Sequence, residues 1–358
     1  MNRQEIADTA SAMVSPGKGL LAMDESNRTC NKRFEDVGIA PNEENRRAYR
    51  ELILTTPGLG TAISGAILYD ETIRQAKKDG TSFIKLLTNA GIIPGIKVDT
   101  GAKDLAGRPG EKITEGLDGL RERLAAYYRL GARFAKWRAV IKIGEGIPSH
   151  GCIEANAHAL ARYAALCQEA GIVPIVEPEV LTDGDHSIER CYETTQQVLH
   201  IVFNQLYAQK VALELMILKP NMVMPGKECS KQADVARVAE ATVTCLLRAV
   251  PAAVRGVAFL SGGQSCALAS VHLNEMNVKY GSRLPWPLTF SYARAIQQPA
   301  LQLWRGLDAN VKVAQEALLY RAKCNRAARE GKYTEEMEMG EPALVGAEAG
   351  HSHLASQD

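Results

Sequence analysis

The sequence lacks the features that mark nucleic-acid-binding, membrane and secreted proteins. Its 358 residues carry a formal net charge of only +1, so no basic excess exists to neutralise nucleic-acid or membrane phosphates. No apolar run approaches the length that a transmembrane helix requires. The N-terminal stretch MNRQEIADTASAMV contains acidic side chains and no continuous apolar run, which argues against a secretory signal. We therefore expect neither a nucleic acid nor a membrane as partner.

Cysteine and histidine are also placed in ways that give no sign of a disulfide framework or a metal centre. The eight cysteines are scattered without a CxxC pair, which is typical of reduced, packed thiols in the cytoplasm. The seven histidines form no HExxH motif. Asp183, Asp185 and His186 are the one cluster of oxygen and imidazole ligands, and their loop is more typical of a solvated turn. We expect no metal ion and a cytoplasmic location.

Short apolar runs that end on polar residues alternate with helical periodicity along most of the chain. The predicted strands are 19–24, 61–69, 92–98, 134–138, 172–176, 213–219, 257–260 and 288–290. A strand followed by a helix, repeated eight times with short connections, predicts a (β/α)8 barrel of the α/β class. An open doubly wound sheet is the alternative, but no glycine-rich dinucleotide motif follows the first strand.

The barrel is expected to form one domain over residues 1–339. An amphipathic helix precedes its first strand, with Ile6, Ala10, Met13 and Val14 on one side. Residues 340–358 show no periodicity and contain few large apolar side chains. We expect this last segment to be a flexible C-terminal tail.

The stretch ALELMILKPNMVMPG, residues 212–226, carries the strongest indication of chemistry. Its apolar part is cut off by proline and predicts a buried strand on which Leu213, Leu215, Ile217 and Lys219 share one face. If that face points into a barrel, Lys219 stands at the end of an apolar shaft, where a lone ammonium is costly. Such a lysine loses its proton readily and becomes a nucleophile. The alternative is a lysine at a strand end that reaches out to water.

Charged and polar residues follow most of the predicted strands, and a barrel brings the C-terminal ends of its strands to one face. Those residues are Asp24, Lys97, Lys136, Arg138, Glu177, Glu179, Lys219, Ser261 and Arg294. Singly, each is explained as half of a surface ion pair. Together they suit carbonyl activation, in which an amine attacks a ketone and a carboxyl group moves the proton that dehydration needs.

Anion-binding groups follow the seventh and eighth strands, where barrels commonly bind phosphate. Ser261, Gly262 and Gly263 offer backbone N–H groups with little side chain in the way. Ser291 and Arg294 follow the eighth strand, and the guanidinium fork suits the same anion. A Gly-Gly loop is by itself usually a turn. Arg33 and Lys97 are candidates for a second anion at the opposite end, so the pattern suggests a sugar with two phosphates.

In several motifs the sequence resembles the class I, Schiff-base, fructose-1,6-bisphosphate aldolases. The motifs, in order, are GLLAMDES, NEENRRAYRELILTTPGLG, GIIPGIKVDTG, GARFAKWRAV, IVPIVEPEVLTDGDH, ALELMILKPNMVMPG, VAFLSGGQS and LTFSYARAIQ. The resemblance covers nearly the whole chain. It implies reversible cleavage of fructose 1,6-bisphosphate to dihydroxyacetone phosphate and glyceraldehyde 3-phosphate without a metal or organic cofactor. It also implies sugar phosphates as the small-molecule partners and a homotetramer.

The resemblance further implies roles for individual residues. Lys219 would form the imine, Glu177 would act as acid and base during its formation, and Asp24 would act at the hydroxyl during carbon–carbon cleavage. The supporting and phosphate-binding positions that it implies are Lys136, Glu179, Ser261, Gly262, Arg294, Arg33, Lys97 and Arg138.

Two departures from the family pattern leave some points open. Ala293 stands where the family has a glycine before Arg294, and its methyl group could alter the loop or crowd a phosphate. The chain ends Ser356–Gln357–Asp358 rather than in the tyrosine of animal members, which suggests a bacterial or mature plastid form. A Schiff-base aldolase that prefers another sugar phosphate, such as sedoheptulose bisphosphate, and a catalytically idle scaffold barrel are the alternative functions.

Overall fold

The computed structural model describes residues 3–340, and its centre is a closed barrel of parallel strands. The strands in chain order are β1 (Gly19–Met23), β2 (Ile63–Leu68), β3 (Ile93–Lys97), β4 (Gly101–Asp104), β5 (Lys112–Glu115), β6 (Phe134–Ile141), β7 (Val173–Val180), β8 (Ile217–Leu218), β9 (Gly256–Phe259) and β10 (Leu288–Tyr292). Around the barrel the order is β1-β10-β9-β8-β7-β6-β3-β2, whereas β4 and β5 form a separate antiparallel hairpin.

Helices surround the barrel and connect its strands. They are α1 (Arg3–Met13), α2 (Asn27–Glu35), α3 (Glu43–Leu54), α4 (Asp70–Ile73), α5 (Phe83–Asn89), α6 (Leu120–Leu130), α7 (His150–Glu169), α8 (Ile188–Ala208), α9 (Val235–Ala249), α10 (Cys266–Tyr280), α11 (Arg294–Trp304), α12 (Val311–Arg329) and α13 (Glu336–Met339). The predicted (β/α)8 barrel is therefore confirmed. In residues 3–340, no helix combines the length and the apolar character needed to cross a membrane.

Apolar side chains fill the barrel and α1 closes its lower end. The interior cluster consists of Leu20, Ala22, Ile67, Phe134, Val173, Ile175, Leu215, Ile217 and Ala258, together with Ile6, Ala10, Met13 and Val14 of the N-terminal segment. The Phe134 ring leaves no room for a side chain at position 95 of β3, because a Cβ atom on Gly95 would lie 2.2 Å from it. With the lower end filled, the open end is the one at which the strands reach their C-termini.

The strand that carries Lys219 is much shorter than the sequence predicted. The segment predicted as a strand begins instead with a 3-10 turn, Leu213–Leu215, and only Ile217 and Leu218 pair as β8. Leu215 and Ile217 lie in the barrel interior as predicted, whereas Leu213 packs against the outer core, so its predicted place on the interior face was wrong. The backbone N–H of Lys219 still donates to Val176 O at 2.8 Å, which continues the β7 pairing to the catalytic end of the barrel.

Other boundaries follow the sequence closely, with some omissions. The predicted strands 61–69 and 92–98 agree with β2 and β3 to within two residues at each end. The sequence analysis did not predict α2, α5 or the β4–β5 hairpin, which lie in the connections after β1, β2 and β3, respectively. Apart from Gly340, the predicted tail lies outside the residues that the structure describes.

Candidate active site

A cavity of about 440 Å³ lies at the C-terminal ends of the barrel strands. Every residue that was predicted to be catalytic or to bind an anion lines it: Asp24, Arg33, Lys97, Lys136, Arg138, Glu177, Glu179, Lys219, Ser261, Gly262, Gly263, Ser291 and Arg294. These residues come from seven of the eight barrel strands or the loops after them, so the fold alone brings them together.

Four buried side chains at the bottom of the cavity form a row of alternating charge. Lys219 Nζ lies 3.1 Å from Glu177 Oε1, and the other oxygen of Glu177 lies 3.3 Å from Lys136 Nζ. Lys136 Nζ in turn lies 2.5 Å from Asp24 Oδ2. The side chains of the row are 3–9% exposed, so the charges interact in a largely dry environment.

The register of the sheet places this row. Lys136 on β6 pairs with Ile175 on β7, and Ile175 pairs with Ile217 on β8. Because side chains alternate along a strand, Glu177 and Lys219, each two residues farther on, also face the interior. Asp24 follows the last residue of β1, on the opposite part of the ring. The register thus brings Lys136 and, one inward-facing position farther along their strands, Glu177 and Lys219 to the C-terminal end of the barrel.

The row perturbs the ionisation of its members in opposite directions. Burial, together with the positive charge of Lys136, lowers the pKa of Lys219, although Glu177 opposes the change. Burial also disfavours the charge on Lys136, but Asp24 and Glu177 outweigh it and raise the pKa of Lys136. Burial would raise the pKa of Asp24, yet Lys136 and Lys219 hold it at about 2. One lysine is therefore prepared to lose its proton while the other keeps its charge.

Glu177 is the member of the row with spare hydrogen-bonding capacity. Burial opposes its charge, but Lys136 and Lys219 hold the pKa of Glu177 below its ordinary value. Its Oε2 accepts no well-aligned hydrogen bond from the described residues, despite the ionic contact with Lys136. Ser291 Oγ, on β10, is buried in the same cavity and likewise has no hydrogen-bond partner in the described part of the chain. Both oxygens are available to a bound polar substrate.

A second set of charged side chains forms the wall beside β3 and β6. Arg138 Nε donates to Glu179 Oε2, so the second glutamate of the EPE motif pairs with an arginine rather than with Lys219. Lys97 Nζ lies 2.9 Å from Asp99 Oδ1, and Asp99 Oδ2 accepts from the backbone N–H of Arg138 at 3.2 Å. The sequence analysis did not single out Asp99. It lies just beyond the end of β3, and the other site residues were predicted because they are polar residues at the ends of strands.

The phosphate loop predicted after the seventh barrel strand follows β9. Gly262 and Gly263 have φ angles of +57° and +79°, a region that favours glycine, so the loop depends on these two residues. A Cβ atom at Gly263 would lie 3.5 Å from Arg294 Nη2, which shows how closely the guanidinium approaches the loop. Arg294 is the first residue of α11. Loop and guanidinium therefore border one part of the cavity, as an anion site requires.

Arg33 is held by a buried network that the sequence reading missed. Arg33 Nη1 contacts Glu25 Oε1, and Arg50 Nη1 donates to Glu25 Oε2 at 2.7 Å. Gln297 Nε2 donates to Glu25 Oε1 at 3.1 Å. Burial opposes the charge of Glu25, but the two arginines hold its pKa below the ordinary value. Only the position of Glu25 directly after Asp24 could have indicated its place near the site.

Arg33 also lines a cavity beside the loop of Gly262 and Gly263. A second cavity, of about 540 Å³, adjoins the first, and the residues Arg33, Gly263 and Arg294 line both cavities. Arg33 was predicted at the end opposite the loop, together with Lys97. In the structure it lines the main cavity together with both Lys97 and Arg294, and the second cavity together with Arg294.

The loop after β7 is solvated at Asp183 and Asp185, as its composition indicated, whereas His186 is buried. Asp183 pairs with Lys227 at 2.9 Å and lines the main cavity. His186 is buried, and neither ring nitrogen has a hydrogen-bond partner among the described residues. Burial lowers the pKa of His186, so the ring is neutral near pH 7. In residues 3–340, no three His, Cys, Asp or Glu side chains come together as a group that could hold a metal ion.

Comparisons with known proteins show the family to which the chain belongs. Residues 5–347 match the family model described as fructose-bisphosphate aldolase class-I. A probable fructose-bisphosphate aldolase class 1 of Xanthomonas campestris is 61% identical over 93% of this chain and 99% of its own length. The cytosolic fructose-bisphosphate aldolase 6 of Arabidopsis thaliana is 50% identical over 95% of this chain and 94% of its own.

A solved structure extends the likeness to three dimensions. It is the fructose-bisphosphate aldolase of Plasmodium falciparum, crystallised in complex with TRAP and a small-molecule inhibitor. The two structures match with a TM-score of 0.91 and 50% sequence identity, over 92% of this chain and 95% of the other. Sequence identity at this level, over nearly the full length, extends the likeness from the fold to the activity. The chain belongs to the class I fructose-bisphosphate aldolases, enzymes that cleave a carbon–carbon bond by way of a Schiff base.

Proposed function

We propose that Lys219 is the amine that forms the Schiff base with the ketone of fructose 1,6-bisphosphate. The observation that carries this assignment is the contact of 3.1 Å between its buried Nζ and Glu177 Oε1. Transfer of one proton from the ammonium to the carboxylate gives a neutral amine and a neutral carboxylic acid together. The nucleophile and the acid that dehydration needs are thus produced in one step.

The row of charges supports a balanced sequence for imine formation. The neutral amine of Lys219 attacks the ketone carbon, and one of its protons passes to the ketone oxygen to give a carbinolamine. Glu177 then gives its proton to the carbinolamine hydroxyl, which leaves as water. The product is a protonated imine, and Glu177 is again a carboxylate. The positive nitrogen then provides the electron sink for the cleavage step.

Asp24 and Lys136 are suited to the cleavage step. The Asp24 carboxylate would accept the proton of the C4 hydroxyl while the C3–C4 bond breaks and its electrons move to the imine. A carboxyl group with a pKa of about 2 is a weak base, so the bound substrate must first weaken the Lys136–Asp24 contact. Lys136 keeps its charge and would stabilise negative charge on the substrate oxygen. Glu179 supports the site by orienting Arg138.

The remaining residues are proposed to hold the two phosphates. Ser261, Gly262, Gly263 and Arg294 would bind one phosphate through backbone N–H groups and a guanidinium. Lys97 and Arg138 would bind the other phosphate, with Arg33 near both groups. Ser291, whose hydroxyl has no partner among the described residues, would donate to the substrate within the same cavity.

Reductive trapping tests the assignment of Lys219. Borohydride added with dihydroxyacetone phosphate is expected to fix the ketone to Lys219, as mapped by peptide mass spectrometry. The Lys219→Met variant should show neither the adduct nor cleavage. Lys142→Met, which removes an exposed lysine that does not line the cavity, is the matched control and should keep both. An adduct on a different lysine would reject the assignment.

Two alternatives remain for comparison in the same assay. A panel of fructose and sedoheptulose bisphosphates separates a fructose bisphosphate enzyme from one that prefers the longer sugar. Turnover above background by the unmodified chain eliminates the hypothesis that the protein is a catalytically idle scaffold. The intact row of four charged residues already argues against that hypothesis. Because the protonated imine supplies the electron sink, activity should persist in EDTA; inhibition that zinc reverses would indicate the metal-dependent class.

Three further assignments rest on family analogy or on the names of relatives. We propose that residues 1–339 form one folding domain. We propose in addition that the protein is a homotetramer, and light scattering would test this oligomeric state. We also propose a cytoplasmic location, because the relatives include bacterial proteins and a plant cytosolic protein. A chloroplast relative, 51% identical, keeps the plastid stroma as the alternative for a plant or algal source. Fractionation of the source cells would distinguish the two.

A further inference from the structure

Lys227 is a cation at the mouth of the proposed active site. The sequence analysis did not single out this residue. It follows Gly226 in the loop after β8, and it lines the same cavity as Lys219. Its side chain is half exposed, and Nζ donates to Asp183 Oδ1 at 2.9 Å. An ion pair between two side chains as exposed as these contributes little stability, so it is easily exchanged for another partner.

The backbone around Lys227 is fixed although its side chain is not. The N–H groups of Gly226, Lys227 and Glu228 donate to His186 O, Thr182 O and Gly184 O at 2.8, 2.9 and 2.9 Å. Gly226 has no room for a side chain, because a Cβ atom there would lie 2.1 Å from Gly184 O. The loops after β7 and β8 therefore form one unit.

The same unit is attached to the phosphate loop. Thr182 Oγ1 donates to Gly262 O at 2.9 Å, so three consecutive strand-end loops are joined. A Cβ atom built on Gly263 would lie 2.8 Å from Lys227 Nζ and 3.5 Å from Arg294 Nη2. Two cations thus approach the same side of Gly263. One of them, Arg294, already belongs to the proposed phosphate site, and the other is Lys227.

We propose that Lys227 is a second cationic ligand for the substrate phosphate at the Ser261, Gly262 and Gly263 loop, and that it leaves Asp183 when the phosphate binds. This inference rests on the proposed function, in which that loop holds one end of the sugar bisphosphate. A phosphate monoester carries between one and two negative charges near pH 7, and two cations balance it better than one. Lys227 acts on binding rather than on the reacting carbons, because the amine that forms the imine is Lys219.

Steady-state kinetics of Lys227→Met test the proposal. The KM for fructose 1,6-bisphosphate is expected to rise about three- to tenfold, with kcat within about twofold of the unmodified enzyme. Lys227→Arg should restore most of the affinity, because it returns the charge. Lys142→Met is the matched control: Lys142 is exposed and does not line the cavity, but its charge also acts on Asp183. It should leave KM unchanged.

Competition by inorganic phosphate gives a second measurement that does not depend on the sugar. Its inhibition constant should rise about as much as KM in Lys227→Met, and it should fall in Asp183→Asn, because the lysine is then released. The proposal is overturned if Lys227→Met behaves like Lys142→Met, or if kcat falls while KM and the inhibition constant stay the same. Failure of the proposed function is distinct, because the unmodified chain would then neither cleave the substrate nor form the Lys219 adduct.

Discussion

Lys219 Nζ and Glu177 Oε1 lie 3.1 Å apart in a site where both side chains are at most 4% exposed. At this distance the ammonium and the carboxylate can exchange a proton directly, without a water molecule between them. The contact therefore couples the proposed nucleophile, Lys219, to the proposed acid, Glu177. Loss of the carboxylate should affect formation of the imine more than binding of the sugar phosphate.

Glu177→Gln tests this coupling. We expect kcat to fall by about 10²- to 10⁴-fold, since glutamine cannot give a proton to the departing hydroxyl. The rate of borohydride trapping with dihydroxyacetone phosphate should fall with it. Glu193→Gln, which changes a surface glutamate on α8, should leave both rates unchanged. Normal trapping combined with slow turnover would instead assign Glu177 to a step after the imine.

Asp24→Asn should lower stability in a way that depends on pH. The folded-state pKa of Asp24, about 2, lies below the value of an unfolded aspartate, so the ionised carboxylate stabilises the fold above about pH 4. This stabilisation is lost as the pH falls through the folded value. Urea unfolding should show a loss of about 2 kcal/mol at pH 7, and roughly half of that at pH 3. An equal loss at both pH values would indicate packing rather than charge.

The sequence predicted the barrel and the meeting of the buried charges at its C-terminal end for a physical reason. Strand ends are marked by polar residues after short apolar runs, and parallel strands bring those ends to one rim regardless of the intervening helices. This is why Asp24 and Lys219, far apart in the chain, could be placed in one site. Leu213 was misplaced because its apolar side chain suits the outer core as well as the barrel interior.

Contacts that depend on tertiary packing could not be predicted in this way. Arg50 lies in the middle of α3, and nothing in its helical pattern indicates that it reaches Glu25 after β1. Lys227 follows a proline and a glycine, which indicate only a turn. Its position beside Gly263 results from hydrogen bonds between loops that are separated by other elements in the sequence.

Arg50→Met tests the buried network around Glu25. Arg50 and Glu25 are 3% and 5% exposed, so removing one partner leaves a buried carboxylate with only Arg33 and Gln297. We expect the free energy of unfolding in urea to fall by roughly 3 kcal/mol. The KM for fructose 1,6-bisphosphate should also rise, because Glu25 then holds Arg33 more tightly and leaves less of its charge for phosphate.

A control on the same helix separates this effect from the general loss of an arginine. Arg47 pairs with Glu51 one turn away, and both side chains are more exposed than the Arg50–Glu25 pair. Arg47→Met should change stability by no more than about 0.5 kcal/mol and leave KM unaltered. Equal losses in the two variants would mean that the Glu25 network has no special contribution.

Ala293→Gly restores the residue that the family pattern has before Arg294, and we expect it to bring no gain in affinity. The φ angle of Ala293 is −105°, and a negative φ does not by itself require glycine. Its methyl group packs against the apolar interior of the barrel, and its carbonyl accepts the N–H groups of Ile296 and Gln297 at 3.0 Å each.

Glycine at position 293 would add backbone freedom at the start of α11 and lower the free energy of unfolding by about 0.5–1 kcal/mol. The KM for fructose 1,6-bisphosphate should stay within about twofold, since the methyl does not occupy a position that only glycine tolerates. A several-fold fall in KM would mean that the methyl crowds the phosphate after all, and that this chain binds its substrate less tightly than the glycine-containing relatives for that reason.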